Sequence, residues 1–136
     1  KYFSNTNGID GTIGLRGTNK NVVWGLSEHV MSNKDYVDGN GDQVINSRFN
    51  TNSVKANIGL IQKIGSFKLY GEYSQNKLGL TVPPAINSVT DNERKNSLWY
   101  QYLSNLLIQS KNNIYLGKVI TNIDLAWQQN HRRLNT

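Results

Sequence analysis

Six stretches of this chain alternate apolar with polar residues, and the connections between them run short, long, short, long, short. The stretches are Gly8–Gly17, Val22–Asn33, Asn52–Lys63, Ser66–Lys77, Leu103–Gly117 and Thr121–Arg133. Alternation of period two describes a strand with one oily and one wet side. Outer-membrane barrels join such strands by short periplasmic turns and longer extracellular loops. The expected fold is therefore all-β: an antiparallel up-and-down meander of about six strands forming part of a large transmembrane β-barrel. If the short links are periplasmic, both ends of the chain lie on the cell exterior, and residues 1–136 are expected to be a partial barrel domain cut from something larger, with no signal peptide.

The two sides differ in kind. Phe67, Leu69 and Tyr73 oppose Lys68, Tyr70, Glu72 and Ser74, while Val54, Ala56, Ile58 and Leu60 oppose Ser53, Lys55 and Asn57. Ile9, Ile13 and Leu15 repeat the pattern near the start, and Ile123, Leu125 and Trp127 near the end. In a soluble sandwich the apolar side would pack on a second sheet; in a barrel it would meet lipid and the polar side would line the lumen. Alternation is compatible with both. Glu28 interrupts the apolar side of Val22, Trp24, Leu26 and Val30, so it is expected near the membrane rim or beside a bulge that resets the register. Trp24 and Trp127 suit an interfacial aromatic girdle, while Tyr73 and Tyr102 fit either the girdle or a stacking platform for a ligand near the mouth.

Composition narrows the classes. Apolar residues are only 37% of the chain, too few for a thick interior, and no run approaches the length of a spanning helix. A net charge of +6 raises nucleic-acid binding, but the bases are dispersed, with compact groups only at Arg94-Lys95 and His131-Arg132-Arg133; nucleic acid is not expected as a partner. Without cysteine there is neither a disulfide scaffold nor a thiolate metal site.

No motif for catalysis emerges. His29 and His131 are isolated, and no acid–base constellation can be placed, so the chain is read as non-enzymatic and without a cofactor. Asp38, Asn40 and Asp42 have the spacing that opens a calcium loop, but Gln43 and Phe49 stand where that loop needs Gly and Glu; a turn-rich solvated loop is expected. Gly11, Gly14 and Gly17 are read as strand glycines under a close-approaching plug or neighbouring backbone. Val82-Pro83-Pro84-Ala85 belongs outside any central strand. The residues assigned to ligand binding are Arg94, Lys95, Trp99 and Tyr100, in or beside the second long loop. Arg94 and Lys95 fall with His131, Arg132 and Arg133 at the exterior end, where they form an ordinary solvated rim or else meet phosphate of outer-leaflet lipid or lipopolysaccharide, or an anionic ligand.

Tyr36-Val37-Asp38-Gly39-Asn40-Gly41, Asn46-Ser47-Arg48-Phe49-Asn50, Val54-Lys55-Ala56-Asn57-Ile58-Gly59 and Arg94-Lys95-Asn96-Ser97-Leu98-Trp99-Tyr100-Gln101 resemble the barrel of TonB-dependent outer-membrane receptors of the Bacteroidetes type. The resemblance extends through Leu78-Gly79-Leu80-Thr81-Val82-Pro83 and Leu116-Gly117-Lys118. It implies a location in the bacterial outer membrane and energised uptake of an iron chelate, cobalamin or a glycan. It also implies a barrel of about 22 strands closed around the protein's own plug and powered by TonB. A self-contained small β-barrel or β-sandwich binding protein is the competing reading; it needs extra strands hidden in the long loops, at Gln43–Phe49 and Ile86–Thr90.

Overall fold

A computed structural model describes all residues 1–136. The chain is an open antiparallel meander of seven strands in sequence order, not closed into a barrel. β1 is a two-residue strand, Tyr2–Phe3; the others are β2 (Gly8–Asn19), β3 (Val22–Ser32), β4 (Phe49–Gln62), β5 (Gly65–Gly79), β6 (Tyr100–Leu116) and β7 (Val119–Asn135). All six alternating stretches are strands. At several ends they run beyond the sequence-based limits, because alternation fades while ladder pairing continues, as at Phe49–Thr51 and Tyr100–Tyr102, whereas β3, β4 and β6 each stop one residue short, at Ser32, Gln62 and Leu116.

The three short links reverse the chain at one end of the sheet, and the two long loops and both termini lie at the other. Gly117 takes φ +64 in the last turn, which glycine adopts without a Cβ penalty. In the first turn the left-handed residue is Lys20, φ 49, rather than either flanking asparagine. Neither proposed hidden strand forms. Val37 and Gln43 make one isolated bridge, while Ile86 to Ser88 belong to α1 (Pro83–Ser88), started by its two prolines.

Only 12 of 136 residues are buried, and the buried apolar side chains are just Ala85, Val89 and Tyr100. No second layer covers the sheet. Its apolar face is open: Ile13 is 69% exposed, Leu15 64%, Ile58 54% and Leu125 64%. Along β3 the apolar-side residues Trp24, Leu26 and Val30 are exposed, whereas Val23, Gly25, Ser27, His29 and Met31 on the polar side are half-buried. Crowding of the polar side is what inward curvature toward that side produces.

The pairing is continuous through Glu28, which faces Ile13 on one side and Val54 on the other. There is no bulge, so the carboxylate stays on the apolar face, toward the long-loop end of β3. Gly17 is paired with Trp24, and a methyl group added at Gly17 would strike the indole ring. The glycine thus makes room for a cross-strand aromatic, not for another backbone.

The register carries a slant. Val22 pairs with Leu60, and the β4–β5 hairpin extends two residues past that pair to Gln62↔Gly65; Gly65 pairs with Ile114, and the β6–β7 hairpin extends two further, to Leu116↔Val119. Each strand is therefore offset from the last by about one residue, which at about 3.3 Å per residue and about 4.8 Å between strands is a tilt of roughly 35°. The apolar run moves the same way. Its midpoint is Thr12 in β2 and Leu125 in β7, and Leu125 lies in register with Gly17, farther along β2 toward the turns.

Candidate functional site

The candidate site is the long-loop end, where residues 33–48 and 80–99 are fastened to each other and to the sheet. Arg48 is the centre. Its Nε donates to Asp35 Oδ1 at 3.1 Å and its Nη2 to Asp35 Oδ2 at 2.8 Å, while Nη1 also reaches the Asp91 carboxylate. The Asp91 carbonyl accepts from Nη2 at 2.6 Å. A buried cation is tolerated only when paired and hydrogen-bonded, and here both conditions are met. Burial works against the charge, but the hydrogen bonds with Asp35 and Asp91 outweigh it and hold the Arg48 pKa above its ordinary value. The hydrogen bond from Arg48, aided by the backbone N–H of Glu93, holds the Asp91 carboxyl below the usual carboxylate range.

Asn46 forms the second tie. Held at φ 62 and fully buried, it donates from Nδ2 to the carbonyls of Leu80 at 2.9 Å and Trp99 at 2.8 Å. Asn96 adds a third, donating to the Arg48 carbonyl at 3.1 Å and accepting from Asn50 Nδ2 at 2.9 Å. Two loops that leave different hairpins are thereby joined into one polar cap. It folds over the apolar-band face of the sheet, beyond the band itself, since the Asn50 side chain on that face donates to the Arg94 carbonyl at 2.6 Å.

The four residues assigned from sequence have separate fates. The Arg94 guanidinium donates to the carbonyls of Ser32 at 3.0 Å and Asn7 at 2.5 Å, so it clamps the cap to the first hairpin. Trp99 sits at φ 51 and contributes its carbonyl to the Asn46 tie. Tyr100 is buried, accepts from Asn135 Nδ2 at 2.9 Å, and carries the Lys77 ammonium 5.7 Å from its ring centre. The Lys95 side chain makes no hydrogen bond or ion pair, and with Lys77, Asn52 and Gln75 it lines an open recess of about 350 Å³.

His131 and Arg133 share the apolar-band face with Lys77, whereas Arg132 points to the opposite face. The basic triplet is thus divided between two sides. In the first long loop, Asp38 Oδ1 accepts from the backbone N–H groups of Asn40 at 2.9 Å and Asp42 at 3.0 Å, fixing a turn. His29, isolated in sequence, meets Asp10 at 2.8 Å across β2 and β3.

Sequence reasoning missed Arg48, Asp35, Asn46 and Lys77. The partners of Arg48 lie 13 and 43 residues away, and no local pattern joins them. Lys77 closes an alternating stretch and reads simply as its polar end. Compared with protein-family models, curated proteins and solved structures, the chain matches none.

Proposed function

We propose that this chain is a wall segment of an outer-membrane β-barrel receptor of the TonB-dependent type, serving energised uptake of a nutrient such as an iron chelate, cobalamin or a glycan. The observation that carries the membrane part is the exposed apolar band, slanted across the strands by about one residue per strand. In a barrel wall the strands tilt by roughly 35–45° to the membrane normal while the lipid-facing band stays level, so the band must drift against the register at about this rate. A sheet packed on a second layer has no reason to keep its apolar run exposed. The receptor part rests on the resemblance in the loop and strand phrases described above.

In this reading the apolar face meets hydrocarbon, and the polar face, with Lys55 and Glu72 at 3.6 Å and the His29–Asp10 contact, lines the lumen around a plug. Trp127 and Tyr73 mark the upper boundary of the band and Trp24 and Phe67 its lower one, as interfacial aromatics do. β7 pairs onward with the rest of the wall, since an open edge inside a bilayer leaves backbone groups unsatisfied.

The test is fractionation with uptake. The intact receptor should sediment with outer membrane, resist alkaline extraction, and support accumulation of one of the three nutrient classes that stops when the proton gradient is collapsed. Release as a soluble protein would defeat the membrane reading. Membrane residence with uptake of none of them would defeat the receptor reading alone.

A further inference from the structure

We infer that the apolar-band face, just beyond the band at the long-loop end, is a binding site for the phosphate of a membrane lipid headgroup, built by Lys77, Lys95 and Arg133. This rests on the membrane-wall reading above. Lys77, Tyr102 and Arg133 are successive cross-strand neighbours in a single row on that face. The Arg133 guanidinium lies 5.8 Å over the Tyr102 ring, an arrangement that fixes the cation and leaves its edge free to donate. Lys95 reaches the same place from the cap, sharing the recess with Lys77 and Asn52.

Charge selects the occupant. None of these three cations is in an ion pair. The cross-strand rows through Lys77 and through Gln75 hold no Asp or Glu, and His131 stands in the second of them. On the polar face the situation is different: Lys55 has Glu72, and Lys111 lies directly opposite Asp124. Arg16, Lys68 and Arg132 on that face also lack an ion pair, but they are spread along the strands, whereas Lys77, Lys95 and Arg133 gather at one end of the apolar-band face, above Tyr73 and Leu106. An anion held there has an oily surface immediately below it, which suits a phosphate with attached acyl chains better than a free ion. Lys77 and Arg133 are two strands apart, about 10 Å, so a headgroup with two phosphates could engage both.

The intact receptor would be inserted in phosphatidylcholine nanodiscs doped with a bisphosphorylated glycolipid, and glycolipid retained per protein would be measured. Replacement by K77Q, K95Q and R133Q together should lower retention by about tenfold or more. The polar-face set R16Q, K68Q and K111Q removes the same charge and should leave it unchanged. For the unaltered protein, retention should fall as salt rises and should persist in excess inorganic phosphate. Equal retention by both triple variants, insensitivity to salt, or displacement by inorganic phosphate would each overturn the inference. If the intact receptor inserts but retains no glycolipid, the inference fails while the membrane reading stands; if it does not insert, both fall.

Discussion

Arg48 and Asp35 close on each other through two side-chain hydrogen bonds, and the same carboxylate accepts the Arg48 backbone N–H at 2.8 Å, with both side chains sealed from solvent. Buried pairs of this kind are costly to break from one side, because the surviving charge is left without a partner. Arg48→Met should therefore loosen the cap by about 3–5 kcal/mol. Amide hydrogen exchange would register it as lost protection over residues 33–48 and 80–99, with β5 to β7 unaffected. Uniform loss of protection across the strands would show that the cap and wall are one cooperative unit instead.

Acid should act on the Asp91 limb. Its carboxyl has a lowered pKa in the folded chain, so its contribution is complete above the unfolded value of about 4 and disappears as pH falls through the depressed one. Limited proteolysis of the 80–99 loop should accelerate below about pH 4, and D91N should be cleaved readily at neutral pH with no further acid response in that range from this residue.

Asn46→Ala removes two donors from the carbonyls of Leu80 and Trp99 and places alanine in a left-handed conformation. The expected loss is roughly 2 kcal/mol or more. The Leu80 amide, which donates to the Trp99 carbonyl at 2.8 Å, should exchange faster in the variant. Asn46→Gly keeps the backbone conformation and should lose only the hydrogen-bond part.

Substitution on the two faces should divide sharply. Arginine at Leu69 or Ile108, in the middle of the apolar band, should cost about 2–4 kcal/mol in a bilayer. Arginine at the adjoining Tyr70 or Gln109 should cost little. Urea unfolding from phosphatidylcholine vesicles reads the difference, and equal costs at neighbouring positions would contradict an inside and an outside.

The strands were legible because each writes its own two-sided pattern locally, and hairpin length fixed their order. Register was not, since the slant depends on pairs such as Gly65↔Ile114 that no single stretch encodes. The loop cap was illegible for a related reason: Arg48, Asn46 and Asn96 act through partners that become neighbours only after both hairpins form. Arg94 and Tyr100 were picked for their chemistry and turn out to be fastened into the cap, where Arg94 holds two carbonyls and Tyr100 is buried. Lys95 was picked on the same grounds, and its side chain remains available in the recess.

The absence of native cysteine allows single labels to be placed without interference. Spin labels at Ile58, Leu69 and Ile108, against labels at Asn57, Tyr70 and Gln109, would be compared in bilayers for collision with oxygen dissolved in hydrocarbon and with a water-soluble nickel chelate. Strong oxygen and weak nickel contact at the first three, reversed at the second three, is the predicted result. Water contact at all six, or shielding of Ile58, Leu69 and Ile108 from both probes, would contradict an apolar face turned toward lipid.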